Sequence, residues 1–505
     1  MQDVLIVGAG PTGLVLALWL TGQGVKVRII GRSAGPGETS RAMAVQARTL
    51  ELYRQLDLAE AVVAAGHPVP AINLWARGRH RARIAFRNAG SDLTAYPFVL
   101  TYPQDHHERL LIERLASVGV TVERRTELLS FEDEADHVTA RLRMPDGTEQ
   151  RCEARYLAGC DGARSTVRHQ LGTGFDGGTY RQVFYVADAE AAPLGDPGEA
   201  HVALDRGDLL LVLPYGEGRQ CRLIGTVQDE RAEHAETLRF EDVSHESMAS
   251  LGLGVEAVNW FSTYRVHHRV TDHFRQGRAF LLGDAAHVHS PAGGQGMNTG
   301  ISDAINLAWK LAAAVKGRAP DSLLDSYEVE RQGFARTLVD TTDRFFTFAT
   351  AGGSVADFVR TRLFPSFASV AYEFGSVREF MFRVVSQTML HYHDSPLSEG
   401  RAGTVKGGDR LPWVRSGGSD NHDPLPAIGW QVHLYGTARA ELRRWCEQHR
   451  LPLRSIAWTP AHREAGFGQD AAYLLRPDSY VALADPEASP AALAQYCDVR
   501  GLVLG

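Results

Sequence analysis

The run Val4 to Val7 is wholly apolar and reads as a strand buried on both faces. It passes through Gly8-Ala9-Gly10-Pro11-Thr12-Gly13 into an apolar helix, Leu14 to Thr21, which Gly22 and Gly24 end; Lys26 to Ile30 predicts the second strand. Ser40 to Leu56 has the period of an amphipathic helix with Ser40 as N-cap. Gln104 precedes a helix through Leu110, Leu111 and Leu115, followed by a strand at Val120 to Glu123. Phe131 to Met144 and Gln150 to Leu157 flank Asp146-Gly147, a hairpin signal, and the second of them continues into a glycine-marked turn, Gly159 to Ser165. Polar and apolar positions alternate from Phe175 to Phe274, predicting an antiparallel sheet in its own layer. Arg278 to Leu282 is another buried strand, running into a loop from Gly283 to Asn298 and a long helix from Thr299 to Val315. Beyond it lie a helical stretch, then a strand at Gln431 to Tyr435, a helix at Ala438 to His449 and a β-α-β-β-β-α order to the end.

Such alternation of buried strands and helices is α/β, and 505 residues suffice for roughly two to four domains. The formal charge of −7 argues against a nucleic-acid or anionic-membrane binder. Of the 53 basic residues only Lys26, Lys310, Lys316 and Lys406 are lysines, and the arginines are spread along the chain rather than gathered in a patch. The five cysteines are far apart and show no CxxC or zinc spacing, as a reducing compartment allows. The first ten residues lack the basic start of a targeting peptide, and no uncharged apolar run reaches the eighteen or so residues of a membrane span, so a cytoplasmic location is expected.

The chemistry gathers at the glycine turns. In a βαβ unit, Gly8 permits the tight turn, Gly10 lets a pyrophosphate approach the backbone, and Gly13 lets helix and strand pack closely, with the helix N-terminus facing the anion. A carboxylate usually ends the second strand and binds the ribose hydroxyls; here the strand ends Ile30-Gly31-Arg32, leaving Glu38, water or backbone to replace it. Arg32 lies next in line for adenine or a phosphate. Nearly 300 residues later, Asp284 ends a strand as an acid suited to ribityl hydroxyls, and Gly294-Gln295-Gly296-Met297-Asn298 opens a helix beneath a carbonyl that becomes anionic on reduction. The two turns together suggest a long ligand, its AMP end at the first and its redox end at the second.

Three segments in this order resemble the FAD-dependent aromatic hydroxylases, the single-component flavoprotein monooxygenases typified by para-hydroxybenzoate and phenol hydroxylases. They are Gly8-x-Gly10-x-x-Gly13; Cys160-Asp161-Gly162 with Arg164-Ser165-x-x-Arg168; and Gly283-Asp284-Ala285-Ala286-His287 through Pro291 to Gly294-Gln295-Gly296-x-Asn298. The resemblance implies an FAD-binding Rossmann-like domain in two parts, 1–175 and 275–335, around a substrate-binding sheet at 176–274. It further implies a helical connector at 336–400 and a thioredoxin-like domain at 401–505, without a redox CxxC, as in the aromatic polyketide and phenol hydroxylase branch. FAD would be held by Gly8, Gly10, Pro11, Thr12, Gly13, Arg32, Arg41, Gln104, Asp161, Gly162, Asp284, Pro291 and Gly294 to Asn298. Asp161 and Gly162 would also serve NAD(P)H, and Pro291 and Arg41 would stand beside the reactive flavin.

What the resemblance implies chemically is hydroxylation of a bulky polyketide-like or phenolic aromatic by dioxygen through a flavin C4a-hydroperoxide, with water excluded. Tyr215 and Met43 are candidate substrate contacts; Met43 stands at the helix position where phenol hydroxylases carry an aspartate. His287-Val288-His289 and His391-Tyr392-His393-Asp394 have spacings a metal can use, but neither has a third-ligand motif, and no metal is expected. The rival readings are Baeyer–Villiger oxygen insertion, a flavin dehydrogenase or reductase, a flavin halogenase and a flavin-carrying binding protein. The halogenase's Trp-x-Trp-x-Ile-Pro string is absent. A monomer or homodimer is expected.

Overall fold

A computed structural model describes residues 1–504 except 38–41, 197, 206–207, 217, 228–236, 244, 290–293, 351–374 and 426–427, and side chains for the same residues apart from 87–88, 181–182, 205, 208, 340–350, 375–378 and 381. The first sheet forms around β1 (Gln2–Val7), with β2 (Val27–Gly31) on one side and Glu149–Gly159 on the other, all parallel. Val122–Arg124 extends it beyond β2, and Ala279–Leu281 extends it beyond Glu149–Gly159, both parallel. Helix α1 (Pro11–Gly22) is buried from Gly13 to Leu20, consistent with its being apolar all round. It packs against the helices Gly296–Val315 and Gln104–Ser117. The carboxyl ends of β1, Glu149–Gly159 and Ala279–Leu281 therefore open at one edge, each followed by one of the three glycine turns.

A second sheet of eight strands is antiparallel except where Ala200–Asp205 meets Ala71–Ala76. Two of its strands, Ala71–Ala76 and Arg79–Ala85, precede the alternating stretch in sequence, so the layer recruits a hairpin from the first third of the chain. At its other edge His287–Val288 pairs with Val270 and Arg269, which ties the loop after Ala279–Leu281 directly to this sheet.

Two local expectations are corrected. The helix expected from Ser40 begins only at Ala47, because Ala44–Val45 is extended and pairs with Leu100 and Thr101; Ser40 itself lies outside the described residues. Phe131 to Met144 is not one strand: it turns at Glu134–His137 between Glu127–Asp133 and Val138–Arg143. The Asp146-Gly147 hairpin is present, with Gly147 at φ +84 as a tight turn requires.

The third sheet runs Val405–Lys406, Glu399–Ala402, Val481–Asp485, Ala472–Leu475, Gln431–Tyr435, Leu453–Ile456. Gln431–Tyr435 is parallel to Leu453–Ile456 and antiparallel to Ala472–Leu475. Its order is β-α-β-α-β-β-α; a short helix at Pro460–Glu464, with Thr459 capping it, separates strands expected to be consecutive. Among the described residues, no helix is long and apolar enough to cross a membrane.

Three histidines are sealed in these cores: burial pulls His107 and His422 down to about 4 and His433 to about 3. In the unfolded chain they titrate near 6.5, so the stability they contribute is present above that pH and is lost as pH falls toward their folded values. Urea unfolding at pH 5 should therefore show a loss of roughly 2 kcal/mol per histidine relative to pH 7. His433→Phe should flatten its share of that slope, and an unchanged slope would remove His433 from the account.

Candidate active site

At the first turn the glycines divide by what surrounds them. Gly8 has φ +113, and a Cβ there would strike the Cys160 carbonyl oxygen; a Cβ on Gly13 would strike the Gly8 carbonyl oxygen. Strand, turn and helix are thus in backbone contact. A Cβ on Gly10 would meet nothing within 4 Å, and the N-terminus of α1 has no side-chain cap. This is an open cradle of backbone N–H groups at a positive helix end, the arrangement a pyrophosphate requires. Asp161, beside it, accepts from the N–H groups of Thr166 and Val167 through Oδ2 at 2.7 and 3.2 Å. Its Oδ1 is buried without a hydrogen-bond partner among the described residues. Gly162 has φ +80 and open space at its Cβ direction. An open backbone cradle next to an unsatisfied carboxylate oxygen fits the dinucleotide portion of FAD.

Thr12 joins the first turn to the third: a Cβ on Gly283 would lie 2.7 Å from Thr12 Oγ1, and one on Gly300 would also collide with that oxygen. Pro11 is the first residue of α1. Asp284 is exposed on a single 3₁₀ turn, Gly283–Ala285. Gly294 has φ +62, and its Cβ would come within 2.7 Å of the Ala44 Cβ, so only glycine lets the loop lie against the Ala44–Val45 strand.

Asn298 has a role that the resemblance did not suggest. Its Oδ1 accepts from the Gln46 N–H at 2.9 Å and the Thr49 hydroxyl at 2.8 Å, while Nδ2 donates to the carbonyls of Ala44 and Gly294, both at 2.9 Å. The amide is therefore a clamp between two chain segments, and only its backbone is free for a ligand. Gln295 likewise sends its side chain away, donating to the Val385 carbonyl at 3.2 Å and accepting from Gln387. Met297 packs partly buried against the main core, and Gly296 begins the helix.

Beneath the loop is a buried charged cluster that sequence reasoning missed. Asp303 Oδ2 accepts from the Gly283 N–H at 3.0 Å and contacts His287 Nε2 at 2.7 Å; Oδ1 accepts from Arg331 Nε at 2.6 Å. Arg331 also reaches Tyr392 Oη at 2.9 Å and the Thr299 carbonyl at 3.2 Å. Burial alone would raise Asp303, but Arg331 and His287 hold it below the usual carboxylate range. The carboxylate stays charged and anchors the backbone next to Asp284. The available signal was one acid inside the apolar run Ile301-Ser302-Asp303-Ala304-Ile305. His287 is thus occupied by Asp303, and among the described residues no three His, Cys, Asp or Glu side chains gather as a metal set.

In the second sheet, Arg222 is buried and bidentate to Asp188 at 2.7 and 2.8 Å, with a longer bond of 3.4 Å to the Ala42 carbonyl. Its guanidinium lies 6.0 Å from the rings of both Tyr215 and Trp260. Burial, reinforced by Asp188, raises the Tyr215 phenol well above its ordinary value, so it remains a proton donor at neutral pH. Met43 is buried beside Ala42, and its carbonyl accepts from the Tyr102 N–H at 2.7 Å. It precedes the Ala44–Val45 strand and is not on a helix, which corrects the expected position.

Gln104 begins its helix with the N–H bonded to the Ala42 carbonyl at 3.2 Å and the amide donating to Glu108 at 2.8 Å. Arg32 is exposed. Arg41 and Pro291 lie outside the described residues.

A family model described as FAD binding domain matches residues 1–342. The 6-methylpretetramide 4-monooxygenase of Streptomyces rimosus is 40% identical over 413 residues, covering 79% of this chain and 71% of that protein. A rifampicin monooxygenase of Rhodococcus hoagii is 34% identical over 404 residues, covering 78% and 79%. Among solved structures, OxyS anhydrotetracycline hydroxylase from Streptomyces rimosus superposes with a TM-score of 0.77 at 28% identity over 99% of both chains.

Proposed function

The chain belongs to the FAD binding domain family and is an FAD-dependent aromatic monooxygenase; on that premise we propose that it uses NAD(P)H and dioxygen to hydroxylate a polycyclic aromatic of the polyketide kind. The observation that carries this reading is the open cradle at Gly10, held between two glycines that admit no side chain. FAD, when bound, supplies the reduction by NAD(P)H and the activation of dioxygen. The residues of this chain bind and orient. Gly8 to Gly13 and the α1 N-terminus take the pyrophosphate, with Asp161 and Gly162 beside it. Asp284 takes the ribityl hydroxyls, and the backbone of Gly294 to Asn298 takes the flavin carbonyl. The N-terminus of the twenty-residue helix Gly296–Val315 favours negative charge there.

Tyr215, held as a donor, and the Trp260 ring, both beside Arg222, give the second sheet aromatic and polar groups suited to a fused aromatic with phenolic oxygens. Relatives named for a pretetramide and for rifampicin point to the same substrate class. The protein should purify yellow. A matching aromatic should accelerate NAD(P)H oxidation, with one atom of labelled dioxygen appearing as a hydroxyl. Label in a ring-expanded lactone would instead establish Baeyer–Villiger insertion. Substrate oxidation without label would establish a dehydrogenase.

A further inference from the structure

Gly31 removes the acid expected at the end of β2, and the residue that faces the gap is Arg124. The two are register partners across the parallel β2 and Val122–Arg124 strands. A Cβ on Gly31 would lie 3.5 Å from Arg124 Nη1 and 3.2 Å from the Cβ of Ala9, in the first glycine turn. The guanidinium therefore stands where a longer side chain at 31 would have projected. Its Nη1 makes a 3.3 Å bond to Ser33 Oγ; its Nη2 is buried with no hydrogen-bond partner among the described residues. A buried N–H of a permanent cation left unpaired is costly unless something completes it. Arg124 also lines a cavity of about 350 Å³ with Ala34, Gly35, Pro36 and Arg109.

We propose that Arg124 replaces the strand-end carboxylate as the group that holds the ribose of the FAD adenosine half. The chemistry permits the exchange. A carboxylate accepts from two vicinal hydroxyls; a guanidinium fork donates to the same two oxygens, because each hydroxyl is both donor and acceptor. Bidentate geometry is kept while the direction of both bonds is reversed. Gly31 is then required rather than merely tolerated, since an acid there would pair with Arg124 and occupy its fork. The assignment rests on the FAD reading above, and its test separates the two.

Apoprotein is titrated with FAD and with FMN, which lacks the adenosine half, and binding is followed by flavin fluorescence. Arg124→Ala should weaken FAD by about tenfold to a hundredfold and leave FMN unchanged. Gly31→Glu added to Arg124→Ala should restore much of the FAD affinity by reinstating the carboxylate. An FAD analogue lacking the ribose 2′-hydroxyl should bind the wild type more weakly than FAD but bind Arg124→Ala no differently. Unchanged FAD affinity in Arg124→Ala overturns the proposal, as does an equal loss of FAD and FMN, which marks a structural role. A loss of FAD affinity confined to Glu38→Ala assigns the ribose to Glu38 and overturns it too. A wild-type apoprotein that binds neither flavin overturns the function reading itself.

Discussion

Gly10→Val should yield a folded, colourless protein. Gly10 has φ −87 and ψ −176, extended backbone that valine adopts readily, and its Cβ would meet no atom within 4 Å. The apoprotein should therefore match wild-type stability within about 0.5 kcal/mol. The added methyls enter the cradle in which a pyrophosphate must touch the backbone, so FAD affinity should fall by about a hundredfold or more. Gly13→Ala is the contrasting variant: its methyl would run into the Gly8 carbonyl, α1 would have to move off β1, and the fold itself should lose roughly 3 kcal/mol. Flavin absorbance of the purified variants and urea unfolding of the apoproteins separate the two effects. A yellow Gly10→Val with wild-type FAD affinity would empty the cradle of its assigned role.

The features legible in the sequence were those that local chemistry fixes. A four-residue apolar strand followed by three spaced glycines places β1 and α1 because no other residues satisfy both the burial and the turn. The Ser40–Leu56 period failed at Ala44 and Val45 because these gain more from pairing with Thr101 and Leu100 than from helix, a tertiary preference that no local pattern carries. The charged pairs around the site were illegible for a related reason. Asp188 and Arg222 are 34 positions apart and meet only because the two strands pair in that register. Asp303 and Arg331 meet through the packing of two helices, and Arg124 acquires meaning only beside Gly31. Sequence spacing reveals glycines shaped by their own turns; partners brought in by sheet register or helix packing have no fixed spacing to read.

The largest stability effect should come from Glu330. Its side chain is fully buried, and five donor atoms converge on it: Lys310 Nζ at 2.8 Å, Asn306 Nδ2 at 2.6 Å, Ser395 Oγ at 2.6 Å, and Arg476 Nη1 and Nη2 at 2.7 and 3.0 Å. Arg476 also pairs with Asp478, whose Oδ2 accepts from Trp309 Nε1 at 3.1 Å. Burial alone would raise Glu330; Arg476 and then Lys310 hold it well below the carboxylate range. Lys310 is pulled down to about 8 by burial, with Glu330 opposing that shift. Two cations and two anions thus balance in a buried interface between the helix Gly296–Val315, the helix Asp325–Thr350 and the turn before Val481–Asp485. Glu330→Gln leaves the cations in excess and should cost about 3–5 kcal/mol in urea unfolding. Lys310→Met on top of Glu330→Gln restores the charge balance and should recover part of that loss, a non-additivity that independent sites do not show. Because Lys310 and Asn306 lie on the helix that carries Asn298, Glu330→Gln should also release FAD more readily. A Glu330→Gln protein within about 0.5 kcal/mol of wild type would mean the cluster is neutral to the fold.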